Sequence, residues 1–155
     1  MIGQRISAGG IVVRDGKVLL VHHYCENSYD FWVMPGGGIQ GEEGILKAAA
    51  REVWEETNLV VKANKIAYVE DFLDEGHYIC KFWVYCDLEN GILSIEHKEE
   101  NEDFLIAARF FSREELQGMN AFPSILKDDF WKDLEAGFPT IKYLGYQKLG
   151  TDQQP

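Results

Sequence analysis

Three carboxylates, Glu52, Glu55 and Glu56, follow one another at i, i+3 and i+4 in the run Arg51-Glu52-Val53-Trp54-Glu55-Glu56. In a helix, at about 100° per residue, that spacing projects all three from one face within a single turn. Like charges so placed repel by a few tenths of a kcal/mol per pair, roughly, in water, and a bound divalent cation reverses the sign of that interaction. Hard oxygen donors favour magnesium, calcium or manganese over zinc. Magnesium commonly takes only one or two carboxylates together with substrate phosphates and waters. The competing reading is a solvated acidic helix face, and the surroundings decide between the two.

The stretch after Gly44 predicts a helix, because Leu46, Ala48, Ala49, Ala50, Arg51 and Glu52 all have good helix propensity and no proline interrupts them. Ala48 and Ala49, one turn before Glu52, are expected to leave the approach to the carboxylates open, with Val53 and Leu46 marking the core side. Arg51 can pair with Glu55 at i+4, an ordinary surface ion pair of little worth by itself. Feeding the helix is Pro35-Gly36-Gly37-Gly38-Ile39-Gln40-Gly41-Glu42, a glycine loop that allows the close backbone approach a phosphate or metal needs.

From Gly37 to Leu59 the chain resembles the signature of the Nudix hydrolases, G-x5-E-x7-R-E-U-x-E-E-x-G-U with U aliphatic. Every fixed position matches except one, where Asn58 stands for the last glycine, and Trp32-x-x-Pro35-Gly36-Gly37 leads in. The resemblance implies Glu52, Glu55 and Glu56 as metal ligands, a further ligand from a loop carbonyl near Gly36, and magnesium as the cofactor with manganese as a substitute. It gives Arg51 and Glu43 the task of bracing the loop and helix that present the ligands. Some members take another ligand or base from a later loop, which makes Glu99, Glu100 and Glu102 candidates without choosing among them. Asparagine tolerates the left-handed conformation next best after glycine, so Asn58 is expected to cap the helix. Members specialised for ADP-ribose or dinucleoside polyphosphates carry a proline or tyrosine some way past the signature. Glu75, Gly76 and His77 stand there instead, with Tyr78 just beyond, so no substrate is assigned.

The implied reaction is hydrolysis of a nucleoside diphosphate linked to another group X, nucleoside triphosphates included. Water attacks a phosphorus, metal held by the glutamates neutralises charge, and a glutamate or an acid from 99–102 takes the proton. Nothing in the chain resembles an activated serine or cysteine nucleophile. The rival is a Nudix-fold domain that senses a nucleotide without cleaving it, since fold does not fix function.

At 155 residues and 46% apolar the chain predicts a single globular domain over 1–149, with a polar tail at 150–155. No apolar stretch reaches a membrane span, and the start lacks a secretory leader, so the expected location is cytoplasmic. The net charge of −11 disfavours a nucleic-acid polymer, leaving a small nucleotide or nucleotide conjugate as partner and a homodimer open. Cys25, Cys80 and Cys86 make no framework, and His22, His23, His77 and His97 show no metal spacing.

Expected strands are Arg5–Arg14 and Lys17–His22 around an Asp15-Gly16 turn, Trp32–Met34, Val60–Asp71, Tyr78–Leu88, Phe104–Phe111 and Ile141–Tyr146. Tyr24–Phe31 is expected to be a loop, and of Tyr24, Tyr29, Phe31 and Trp32 one or two could stack on a base or sugar, with core packing the better reading for Trp32. A short helix is expected from Ser112 through Leu116, and an amphipathic one over Ile125–Ala136. Strands on both sides of a central helix predict an α/β fold with a mixed sheet between helices, and the family's α/β/α sandwich agrees.

Overall fold

The structure, a computed structural model, describes residues 2–99 and 102–149. Strands β1 (Gly3–Arg14) and β2 (Lys17–Cys25) join through Asp15 and Gly16, both at positive φ (52° and 73°). Two consecutive left-handed residues are what a tight hairpin demands. The two strands pair only at Val13↔Val18 and Arg14↔Lys17 and then diverge. Beyond that point β1 runs between β4 (Gly36–Gly38) and β6 (His77–Asn90), while β2 runs between β3 (Tyr29–Val33) and β7 (Leu105–Phe111). Strand β5 (Val60–Asp74) lies antiparallel to β6, β8 (Ala121–Phe122) parallel to β3, and β9 (Lys142–Lys148) parallel to β5.

The result is a curled mixed sheet ordered β8-β3-β2-β1-β6-β5-β9. Helix α1 (Ile45–Thr57) covers one face, burying Ala48, Ala49 and Val53 against Ala8, Val12, Leu19 and Val84. A 3₁₀ turn (Ser124–Lys127) and the short helix α2 (Phe130–Glu135) cover the other, where Leu126 and Phe130 join Ile11, Leu20, Met34, Tyr68 and Trp83. This is the expected α/β/α layering. Each large apolar side chain so buried contributes about 1.5–3 kcal/mol. No helix among the described residues is long and apolar enough to cross a membrane.

Several expectations are corrected. The segment expected to loop from Tyr24 to Phe31 continues β2 to Cys25, turns at Asn27 and returns along β3, because its period-2 alternation begins at Tyr29 and buries Phe31 and Val33. The first half of the glycine loop is strand β4. Ser112–Leu116 forms turns rather than a helix, although both capping-box bonds are made, Glu115 N–H to Ser112 Oγ and Ser112 N–H to Glu115 Oε1. The helix expected over Ile125–Ala136 is split in two at Asp128, whose φ of −143° and ψ of −118° are not helical. Strands β5 and β6 extend three and two residues past their expected ends toward the Glu75-Gly76 turn and the chain end respectively. Asn58 does cap α1, with φ 66°. Glu100 and the tail 150–155 lie outside the described residues.

Candidate active site

Helix α1 ends beside β4, and the contact between them is made of carboxylate against backbone. Glu56, only 1% exposed, accepts the Gly36 N–H on Oε1 at 2.7 Å. Glu52 lies so close to Gly37 that a Cβ there would come within 2.6 Å of its Oε1. Gly36 in turn faces Gly9 of β1, where a Cβ on Gly36 would stand 2.8 Å from the Gly9 Cα. Glycine is thus required for close approach: a side chain at Gly36 would collide with the β1 backbone, and one at Gly37 would displace the Glu52 carboxylate.

Arg51 joins the loop to the helix. Its Nε donates to Glu43 Oε2 at 2.9 Å and its Nη2 to Glu43 Oε1 at 2.6 Å and to the Gly38 carbonyl at 3.1 Å. Its Nη1 reaches Glu52 Oε1 and Glu55 Oε2, each at 3.0 Å. Glu43 also accepts the Gln40 N–H at 2.8 Å. The i+4 pair with Glu55 is therefore one strand of a five-residue clamp, and a guanidinium fork makes such a clamp where a lysine could not. The Arg51 hydrogen bonds hold the Glu43 carboxyl below the usual carboxylate range, and those same bonds to Glu43 raise the guanidinium above its ordinary value.

Glu52, Glu55 and Glu56 open with Gly36, Gly37 and Gly38 onto a cleft of about 460 Å³. Glu99 and Glu102 close it from the loop before β7, so the two described candidates of that loop face the helix triplet. Burial raises the Glu52 carboxyl to about 7, with Arg51 opposing and Glu55 and Glu102 adding to the rise. Burial, then Glu52 and Glu102, push Glu56 well above the carboxylate range against the Gly36 N–H and Lys81. Burial likewise raises Glu102. Concentrated negative charge in a partly dry cleft is what a cation relieves.

The donor set fits a hard cation, since every candidate ligand atom is an oxygen. In this geometry the carboxylates are turned to Arg51 and to the Gly36 N–H, and among the described residues no three of them converge as a ready-made metal cluster.

Other residues stand differently from expectation. Ala48 and Ala49 are fully buried against the sheet and do not form the approach to the carboxylates, whereas Leu46 is 40% exposed and is not on the core side. Trp32, by contrast, packs as expected, stacking on His22 and meeting Phe111 edge-on.

Two residues at or near the cleft have no counterpart in the sequence expectations, His23 in its lining and Lys81 within reach of the Glu52 and Glu56 charges. His23 lines the cleft, packed against Phe31 and Phe104, and burial first, then Lys81, lower its imidazole to about 4. Lys81, 8% exposed, holds its ammonium 4.2 Å over the Trp83 ring and is pushed below the usual lysine range by burial. A lysine inside the apolar run Ile79–Val84 was the available sign, since buried lysines are rare unless paired.

A family model described as the NUDIX domain matches residues 3–130. The chain belongs to the NUDIX domain family. A "MutT-like protein" of Streptomyces ambofaciens is 36% identical over 64 residues, 41% of this chain and 40% of that protein. "Phosphatase NudJ" of Escherichia coli strain K12 is 34% identical over 59 residues, 38% of each chain. The chain thus spans about 40% of the length of the curated relatives it matches. Among solved structures, a NUDIX hydrolase from Nitrosomonas europaea superposes with a TM-score of 0.70 at 19% identity, covering 86% of this chain and 90% of that one. At that identity the likeness is one of fold.

Proposed function

We propose that this Nudix chain is a divalent-metal-dependent hydrolase of a nucleoside diphosphate linked to a group X, nucleoside triphosphates included. The observation that carries the reading is the single cleft in which Glu52, Glu55, Glu56 and Glu102 face glycine backbone clamped by Arg51. Glu52, Glu55, Glu56 and the Gly36 carbonyl would hold magnesium, with manganese as a substitute. When bound, the cation supplies charge neutralisation on the diphosphate and acidifies water. Arg51 and Glu43 fix the helix against the loop, so the carboxylates are held in place before substrate arrives. Glu102 is the proton acceptor the geometry favours over Glu99, because it is the more enclosed of the two and sits within the field of Glu55 and Glu56. Support for a small-molecule substrate comes from the cleft's size and from the chain's net charge of −11, which disfavours a nucleic-acid polymer.

The test is a screen of nucleoside triphosphates, nucleotide sugars, ADP-ribose, dinucleotides and dinucleoside polyphosphates with magnesium, manganese or chelator, with products identified. Metal-dependent release of a nucleotide product is expected. Absence of turnover on every substrate, with retained nucleotide binding, would instead indicate a sensing domain.

A further inference from the structure

Helix α1 turns three faces to three different parts of the molecule. Ala49 and Val53 meet the sheet, and Glu52, Glu55 and Glu56 meet the acidic cleft. Trp54, Thr57 and Asn58, spaced i, i+3 and i+4, form the third face, and it holds the segment that follows β6. The Asn58 Nδ2 donates to the Ile92 carbonyl at 2.8 Å. The Ser94 N–H donates to the Thr57 carbonyl at 2.9 Å. The Trp54 indole stacks on the His97 imidazole, with centroids 5.3 Å apart and planes 17° from parallel. Gly91, at φ 111°, lets the chain return this closely, since a Cβ there would stand 2.6 Å from the Asn58 carbonyl oxygen.

The segment so held carries the acids that close the cleft. Residues 91–99 have no helix or strand of their own, so contacts with the rest of the fold must set their course. Glu99 stands two residues after His97 and lines the cleft, and its carbonyl accepts the Glu102 N–H at 2.9 Å. Lys98, between His97 and Glu99, donates from Nζ to the Leu105 carbonyl at 2.7 Å, at the start of β7. Glu102 therefore follows Glu99, and Glu99 follows the stack. Trp54 is 45% exposed and adds little to the core. A half-exposed indole lying flat on a single ring of a loop does more to place that loop than to stabilise the fold.

We propose that Trp54 and His97 are positioning residues: their stack fixes segment 91–99 to the helix that carries the glutamate triplet, and so sets Glu99 and Glu102 opposite Glu52, Glu55 and Glu56. The effect on rate rests on the hydrolase reading, whereas the effect on the loop is measured without turnover. Amide exchange at Ser94 and Glu102 is followed by NMR in wild type, Trp54→Ala, His97→Ala, the double variant, and the ring-keeping Trp54→Phe and His97→Phe, beside melting and the kinetics of the best substrate with magnesium. Exchange at both amides should quicken at least about tenfold in the alanine variants while melting stays within about 2 °C. Their kcat should fall roughly tenfold or more with KM within about twofold, because the displaced group acts on the reacting atoms and not on substrate binding. The phenylalanine variants should recover most of both, and the double variant should lose no more than the worse single, as expected for two halves of one contact. Unchanged exchange in both alanine variants, wild-type kcat in both, or losses that multiply in the double variant would overturn the proposal. Quickened exchange in a protein whose wild type cleaves no nucleotide would instead remove the hydrolase reading and leave the stack's hold on the loop standing. Metal-dependent cleavage that the alanine variants leave untouched does the reverse.

Discussion

Glu56 and Gly36, twenty residues apart, are joined by a 2.7 Å hydrogen bond from a strand N–H to a buried carboxylate. The bond ties the position of the acidic helix to a strand whose register is fixed by Gly9↔Gly36 pairing with β1. Site geometry and sheet geometry are therefore one quantity, and variants at the junction separate charge from shape.

Glu55→Gln and Glu56→Gln keep size and an acceptor carbonyl but remove a charge. The fold should persist, with melting unchanged or slightly raised as repulsion is relieved. Turnover of the best substrate should fall at least about a hundredfold, a loss of roughly 2.7 kcal/mol in the barrier. Thermal melts with and without magnesium, run beside kinetics, check both halves; near-normal rates in both variants would refute the ligand assignment.

Gly37→Ala places a methyl where Glu52 Oε1 would be 2.6 Å away. The carboxylate, the far end of a flexible side chain, must move, and with it the Glu52 oxygen that Arg51 holds. We expect kcat to drop roughly tenfold to a hundredfold, because small displacements of positioned groups are expensive in rate. An alanine variant with wild-type kcat would show that the Glu52–Gly37 contact is not needed.

Asn58 holds a left-handed cap, and its Nδ2 donates to the Ile92 carbonyl at 2.8 Å. Asn58→Gly should change stability by less than about 1 kcal/mol, gaining backbone ease and losing one exposed bond. Asn58→Val should cost more, because a β-branched residue resists positive φ. Urea unfolding of the three proteins decides, and a valine variant as stable as the glycine one would be the contrary result.

His23 has its imidazole lowered from 6.5 to about 4 in the folded chain, chiefly by burial. A base whose folded value is depressed stays neutral when the unfolded chain takes up a proton, so its contribution is intact above about 6.5 and is lost as pH falls toward 4. The raised carboxyls of Glu52, Glu56 and Glu102 act in the opposite sense, so the informative quantity is the difference between wild type and His23→Gln. That difference should shift by a few kcal/mol, roughly, between pH 6.5 and 4, with the wild type losing more. Parallel melting curves for the two proteins across that range would exclude it.

The acidic helix was legible because propensity, absence of proline and the spacing of three glutamates agree locally. So was the left-handed cap, which needs only the one residue. What Ala48 and Ala49 do was not legible, since alanine is both a good helix former and a small residue suited to close packing on a sheet. The capping box at Ser112 and Glu115 was correctly read as bonds but not as a helix, for the chain after it lacks a buried stripe to continue one. His23 reaches the cleft, and Lys81 comes within the field of Glu52 and Glu56, through strand register. Lys81 lies beside Ser7, and Ser7 beside Gly38, and such pairings between distant segments leave no mark in local sequence.

The parallel pairing of β1 with β6, from Gly3↔His77 to Val12↔Cys86, sets the order in which the molecule can assemble. Closing that long loop is slow, whereas the β5–β6 hairpin is local and quick. Strand β4 has β1 as its partner, so the glycine backbone that receives Glu56 shares the long-range strand whose other neighbour is β6. Pulsed hydrogen exchange during refolding should accordingly protect amides of the Val60–Asn90 hairpin before those of Gly36–Gly38. A chain still emerging from synthesis would hold the whole acidic helix and yet lack both the β6 strand that seats β1 and the later loop that brings Glu102 to the cleft.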